Sequence, residues 1–217
     1  MTEIATKAGE RFEQDLLKMG NLVEETMKMA IQALREQNSE LAIQVIERDD
    51  LIDNLQIVIE EEIERAALAG PISSFELRRN FATIKIVNDL ERIGDYATNI
   101  AEIVLELKNE RYIKPLIHIP QLASLAMNMV STVLKSFLEK NGDLAEAVCK
   151  RDDEADDLYE EIREELIRIS GNDPDRRTAY QSSRFLLIAE WLERAADHAT
   201  NIGEETIYIL SGKRVKY

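Results

Sequence analysis

Leu90–Glu102 reads LERIGDYATNIAE, and Leu192–Glu204 reads LERAADHATNIGE. Nine of these thirteen positions are identical, 102 residues apart in a chain of 217. A second pair of blocks lies upstream: LAIQVIERDDLID at Leu41–Asp53 and LAEAVCKRDDEAD at Leu144–Asp156, spaced by 103. Both upstream blocks follow a turn-forming pair, Asn38-Ser39 and Asn141-Gly142. Two blocks repeated in the same order at nearly constant spacing are the signature of a tandem duplication. The one-residue slip falls at the turns Ala69-Gly70-Pro71 and Gly171-Asn172-Asp173-Pro174.

Working outward, apolar residues recur every three or four positions, as in Thr83, Ile86, Val87, Leu90, Gly94, Ala97, Ala101 and Val104. No stretch calls for a strand. Six helices follow, at about Ile4–Gln37, Glu40–Ala69, Ser74–Asn109, Pro120–Lys140, Asp143–Ser170 and Pro174–Leu210. Ser73 and Glu76 form a capping box for the third helix, while Asp173 and Pro174 suit the cap and first turn of the sixth. The expected fold is all-α: two tandem, internally duplicated three-helix bundles, 1–111 and 120–217, joined by a linker at 112–119.

Composition narrows the function. The chain carries a net charge of −15, and its longest basic run is Lys213-Arg214-Val215-Lys216, read as a solvated tail. Phosphate backbones repel such a surface, so direct nucleic-acid binding is excluded. One cysteine, Cys149, rules out an intrachain disulfide and suits a reducing cytoplasm. No segment reads as a signal peptide, and the longest uncharged run, Pro115–Leu134, is too polar for a membrane span.

The chemistry-bearing residues are paired carboxylates. Glu91/Asp95 and Glu193/Asp197 sit four apart on the third and sixth helices, and Asp49/Asp53 and Asp152/Asp156 sit four apart on the helices before them. In an antiparallel hairpin, residues equidistant from the turn are level. Asp49 with Asp95 centres beside Pro71, and Asp152 with Asp197 beside Pro174. Each half therefore gathers four carboxylates at one height. Like charges at i,i+4 repel, and an all-oxygen set suits a hard cation: Mg, Ca, Mn or oxo-bridged ferric iron. Asn99 and Asn201 are candidate additional ligands, with Thr98 and Thr200 weaker ones. The competing reading is a solvated acidic face, neutralised by Arg48, Arg92, Arg151 and Arg194.

Catalytic signatures are absent. Neither histidine lies three residues after a Glu, so a Glu-x-x-His di-iron site is excluded, and no phosphate loop or nucleophile elbow is present. His118 reads as a structural linker residue, His198 as a partly exposed helix histidine, and Cys149 as a small core hydrophobe. A non-enzyme is expected; a metal-dependent enzyme using the clusters is the alternative.

With these residues in place, the chain resembles the PhoU family, accessory proteins of the bacterial phosphate-specific transport system. The resemblance rests on LRRNFATIKIVNDLERIGDYATNI at Leu77–Ile100, on LLIAEWLERAADHATNIGEETIYILSGK at Leu186–Lys213, and on the four carboxylate pairs in order. It implies paired three-helix bundles with multinuclear iron or zinc clusters at those pairs. It further implies negative regulation of phosphate uptake and of the phosphate-starvation response. Implied partners are the transporter's ATPase subunit, a membrane sensor histidine kinase and a second copy of the chain, as a dimer. One departure stands out: Asn88-Asp89 in the first half is Glu190-Trp191 in the second.

Overall fold

The computed structural model describes residues 3–173 and 175–217, with side chains from Phe12 onward. Eight helices follow in order: α1 (Glu3–Glu36), α2 (Ser39–Ile46), α3 (Asp49–Leu68), α4 (Ser74–Glu106), α5 (His118–Glu139), α6 (Gly142–Cys149), α7 (Asp152–Asn172) and α8 (Arg176–Ser211). Among the described residues there is no strand.

Each half is a bundle of three rods whose middle rod is broken. Six continuous helices were expected; α2/α3 and α6/α7 are the correction. Glu47 and Arg48 keep right-handed helical angles (φ −66°, ψ −15° and φ −83°, ψ −14°), so the rod kinks without reversing. The hydrogen-bond ladder tightens there: Arg48 N–H donates to Val45 O at 3.1 Å and Leu51 N–H to Arg48 O at 3.0 Å. The kink places Asp49 and Asp50, and equally Asp152 and Asp153, in the first turn of a new helix. There the exposed N–H groups and the helix dipole favour negative charge.

The turn pairs and the capping box open their helices, with one exception at α8. Asn38 Oδ1 accepts from Leu41 N–H at 3.0 Å and Asn141 Oδ1 from Leu144 N–H at 3.1 Å, so both repeats start their middle rod alike. The Ser73/Glu76 capping box is complete. α8, however, starts at Arg176 behind Asp175, while Asp173 closes α7 in an extended conformation. Asp173 has other partners than a helix start: its carboxylate accepts from Thr178 Oγ1 at 2.9 Å and Asp175 N–H at 3.2 Å. Pro174 lies outside the described residues.

One hydrophobic core runs through both halves, from Phe12 and Leu16 of α1 to Ile202 and Ile209 of α8. The halves meet along α4 against α8 and α1 against α5. Small residues bring the rods close. A Cβ on Gly94 would meet Ile52 Cδ1 at 2.8 Å. The equivalent pair in the second repeat is Ala196 and Ala155, where small faces small. Residues after α8 are not a free tail as expected. Arg214 Nη1 donates to Glu205 Oε1 at 3.0 Å, its guanidinium lies 4.1 Å over the Tyr208 ring, and Tyr217 N–H donates to Glu204 Oε1 at 2.8 Å.

Candidate functional site

The kinks and the long helices position the carboxylates. Asp49 at the start of α3 is tied to α4, because Thr98 Oγ1 donates to Asp49 Oδ1 at 3.0 Å. Asp152 at the start of α7 is tied to α8 in the same way, by Thr200 Oγ1 at 3.1 Å. Two helical turns on, Gln56 Nε2 donates to Asn88 Oδ1 at 2.8 Å and holds α3 beside α4 in the first repeat. The threonines are thus positioning groups, a role the sequence reading left to a weaker ligand.

The four carboxylates of each repeat feel one another's charge. In the first, burial raises the Glu91 carboxyl above its ordinary range, with Asp95, Asp53 and Asp49 adding repulsion. Asp95 is raised by burial and by Asp49 and Asp53, against Arg92. Asp53, exposed, is raised by its residual burial and then by Asp49 and Asp50. In the second, burial and then Asp197, Asp156 and Asp152 push Glu193 from 4.5 up to about 7. Asp197 is raised by loss of water on its inner side and by Asp152 and Asp156, although its outer side is exposed. Asp152 is raised by burial, then by Asp156, Asp153 and Glu204, while the Thr200 hydroxyl opposes the shift. Glu204 therefore belongs to the second cluster's surroundings, a residue not singled out from the sequence although it closes the repeated phrase.

The two clusters differ in their counter-charge. Arg92 lies 3.0 Å from Asp95 Oδ2 and 3.5 Å from Glu91 Oε2. Its equivalent, Arg194, turns away to Glu190 Oε1 at 2.6 Å. Arg48 and Arg151 also look elsewhere, to Glu25 at 3.2 Å and Glu154 at 3.4 Å. Of the four arginines expected to neutralise the clusters, only Arg92 bridges the carboxylates of its own.

Asn99 is half-buried, and Asn201 is exposed and lines a groove of about 610 Å³ with Lys85, Glu205 and Arg214. Among the described residues, no three His, Cys, Asp or Glu side chains are gathered closely enough to hold a metal ion as they stand. The donor chemistry nonetheless fits a hard cation: only oxygen donors, mutually repelling, and in the second cluster without a dedicated base.

Two other expectations are refined. His198 sits between the halves, with Nδ1 2.8 Å from Asp89 Oδ1 and Nε2 3.2 Å from Tyr96 Oη. Tyr96 is its own counterpart in the first repeat, so equivalent positions of α4 and α8 meet. His118 Nδ1 lies 3.4 Å from Glu165, which Lys114 also grips, at the joint between the halves. Cys149 is buried and its thiol pushed up to about 12, chiefly by desolvation, which leaves it inert. No helix among the described residues is long and apolar enough to cross a membrane.

Comparison with known proteins agrees with this geometry. A family model described as the PhoU domain matches residues 16–104 and again 119–206. A phosphate-specific transport system accessory protein PhoU homolog of Clostridium acetobutylicum is 37% identical over 207 residues, covering 95% of this chain and 94% of that protein. The corresponding homolog of Aquifex aeolicus is 36% identical over 208 residues, 96% and 93% of the two chains. The crystal structure of PhoU from Pseudomonas aeruginosa superposes with a TM-score of 0.91 at 32% identity, covering 96% of this chain and 99% of that one. The phosphate transport system regulatory protein PhoU from Streptococcus pneumoniae gives 0.89 at 27% identity, covering 99% and 100%.

Proposed function

The chain belongs to the PhoU family, and from that premise we propose that it is a cytoplasmic regulator of phosphate uptake. It restrains the phosphate transporter and the phosphate-starvation response by protein contact, without catalysis of its own. The observation that carries this reading is the match over 95% of the chain to a protein named as an accessory of phosphate-specific transport. The partners are the transporter's ATPase subunit and the membrane sensor kinase, and the regulator works as a homodimer.

The carboxylate clusters are its metal-binding elements. Asp49, Asp53, Glu91 and Asp95 would hold a cation in the first repeat, and Asp152, Asp156, Glu193 and Asp197 in the second. Asn99 and Asn201 would add amide oxygens as further ligands. Asp53 and Asp156 are exposed, and they would have to turn toward the other carboxylates to complete each set, because no three of these groups are gathered closely enough as they stand. Iron or zinc is the cation by family, and Mg, Ca or Mn also satisfies an oxygen-only set. When bound, the metal supplies positive charge that relieves the repulsion on Glu91 and Glu193. The protein's own residues do the positioning: Thr98 and Thr200 fix the first aspartate of each pair, and Arg92 holds the first cluster's charge in the metal's absence.

A pull-down of the transport ATPase and sensor kinase on the purified chain, at high and at low phosphate, tests the reading. Phosphate-dependent capture is expected. No capture at either concentration would refute it.

A further inference from the structure

The outer face of the α2/α3 rod carries apolar side chains that the fold does not use. Ile43, Leu51, Ile57, Val58 and Leu68 range from 39% exposed at Val58 to 78% at Leu68. The backbone stays right-handed helical through the kink, so these residues share one side of the rod. At about 100° per residue they fall within a stripe roughly 120° wide. It points away from Ile52, Ile59 and Ile63, which enter the core.

The duplication supplies an internal control. At the equivalent positions the second repeat has Glu146, Glu154, Glu160, Glu161 and Gly171. That rod folds and packs in the same way against α5 and α8. Only Ile167, the counterpart of Glu64, is an exposed large apolar residue on its outer side. The apolar stripe is therefore not needed to build the bundle, and exposed apolar residues aligned on one helix face and interleaved with charge suit a docked helix.

Charge selects the occupant. Glu47, Asp50, Glu61 and Glu64 alternate with the apolar residues along the stripe. Arg65 pairs with Glu61 at 3.5 Å and Arg48 leans away to Glu25. Among the described residues Glu47, Asp50 and Glu64 make no ion pair. A second copy of this face would set carboxylate against carboxylate, and the chain as a whole carries −15. An anionic membrane surface meets the same repulsion. We propose that this apolar, acid-studded stripe on α2 and α3 docks a basic amphipathic helix of a partner protein, its apolar face on Leu51 and Val58 and its lysines or arginines on the interleaved carboxylates. The inference deepens the contact reading above and rests on it.

The test uses the full chain and a fluorescein-labelled amphipathic helix of about 18 residues built from Leu and Lys, read by anisotropy. Its acidic counterpart of Leu and Glu serves as control. Wild type is expected to bind the basic peptide and not the acidic one. The triple substitution Ile43→Glu, Leu51→Glu and Val58→Glu installs residues the second repeat already carries. It is expected to weaken binding about tenfold or more with an unchanged thermal melt. The variant is also more negative, so attraction by charge alone would tighten binding, and that result overturns the proposal. So does equal binding of the acidic peptide, or a loss of dimerisation in the variant, which would make the stripe a self-interface. Should the variant not fold, amide hydrogen exchange on the wild type decides. Peptide-induced protection over 43–58 supports the proposal, and protection confined to 146–161 refutes it. Because the assay needs only the purified chain, its failure is distinguishable from failure of the pull-down.

Discussion

Replacing Glu193 with Gln should stabilise the metal-free protein at pH 8. Burial and three neighbouring aspartates lift this carboxyl from 4.5 to about 7, so at pH 8 it is forced to ionise in a repelling site. At about 1.4 kcal/mol per pH unit that gap represents roughly 3 kcal/mol. Glu193 is only half-buried, and solvent screening brings the usable effect down to about 1 kcal/mol. Because the folded-state value is raised, the folded protein binds the extra proton between pH 4.5 and about 7. Stability of the wild type thus declines as pH rises through that window, while Glu193→Gln flattens the decline. Thermal melts of chelator-treated protein at pH 5 and pH 8 read this directly. The expected gain is about 2–4 °C at pH 8 and close to none at pH 5. Adding a divalent or ferric cation should raise the wild-type melt more than the variant's. A variant less stable than wild type at pH 8 would refute the account of mutual repulsion.

Further outcomes follow from the same geometry. Gly94→Ala forces its Cβ into Ile52 and should destabilise by about 1–3 kcal/mol in urea titration; adding Ile52→Ala reproduces the Ala196/Ala155 pairing and should recover part of the loss. Thr200→Ala removes the hydroxyl that Asp152 accepts, costing about 1 kcal/mol and weakening metal uptake in the second cluster, measured by calorimetric titration. Cys149, held at about 12 and buried, should resist a thiol reagent in native buffer and react fully in guanidinium.

The duplicated phrase carried most of the fold, because a three-helix unit repeated at a spacing of 102–103 residues can be laid over itself. Level-matching about Pro71 and Pro174 puts Asp49 beside α4 and Asp152 beside α8, where Thr98 and Thr200 bond them. The kinks were not legible. Glu47, Arg48, Lys150 and Arg151 are ordinary helix residues that stay right-handed, and the break lies in hydrogen-bond spacing alone. The unequal counter-charge was legible but unread: Glu190 lies four residues before Arg194 and captures it, whereas Arg92 has Asn88 at that place. The His198–Asp89 contact joins α8 to α4, and its register depends on how the two halves pack rather than on spacing within either.

The proposed role is restraint of phosphate entry. Its most direct test is the initial rate of radiolabelled phosphate uptake in phosphate-replete cells lacking the protein, compared with the same cells supplied with it. The account predicts a several-fold faster rate without the protein and restoration on its return; an unchanged rate would contradict it.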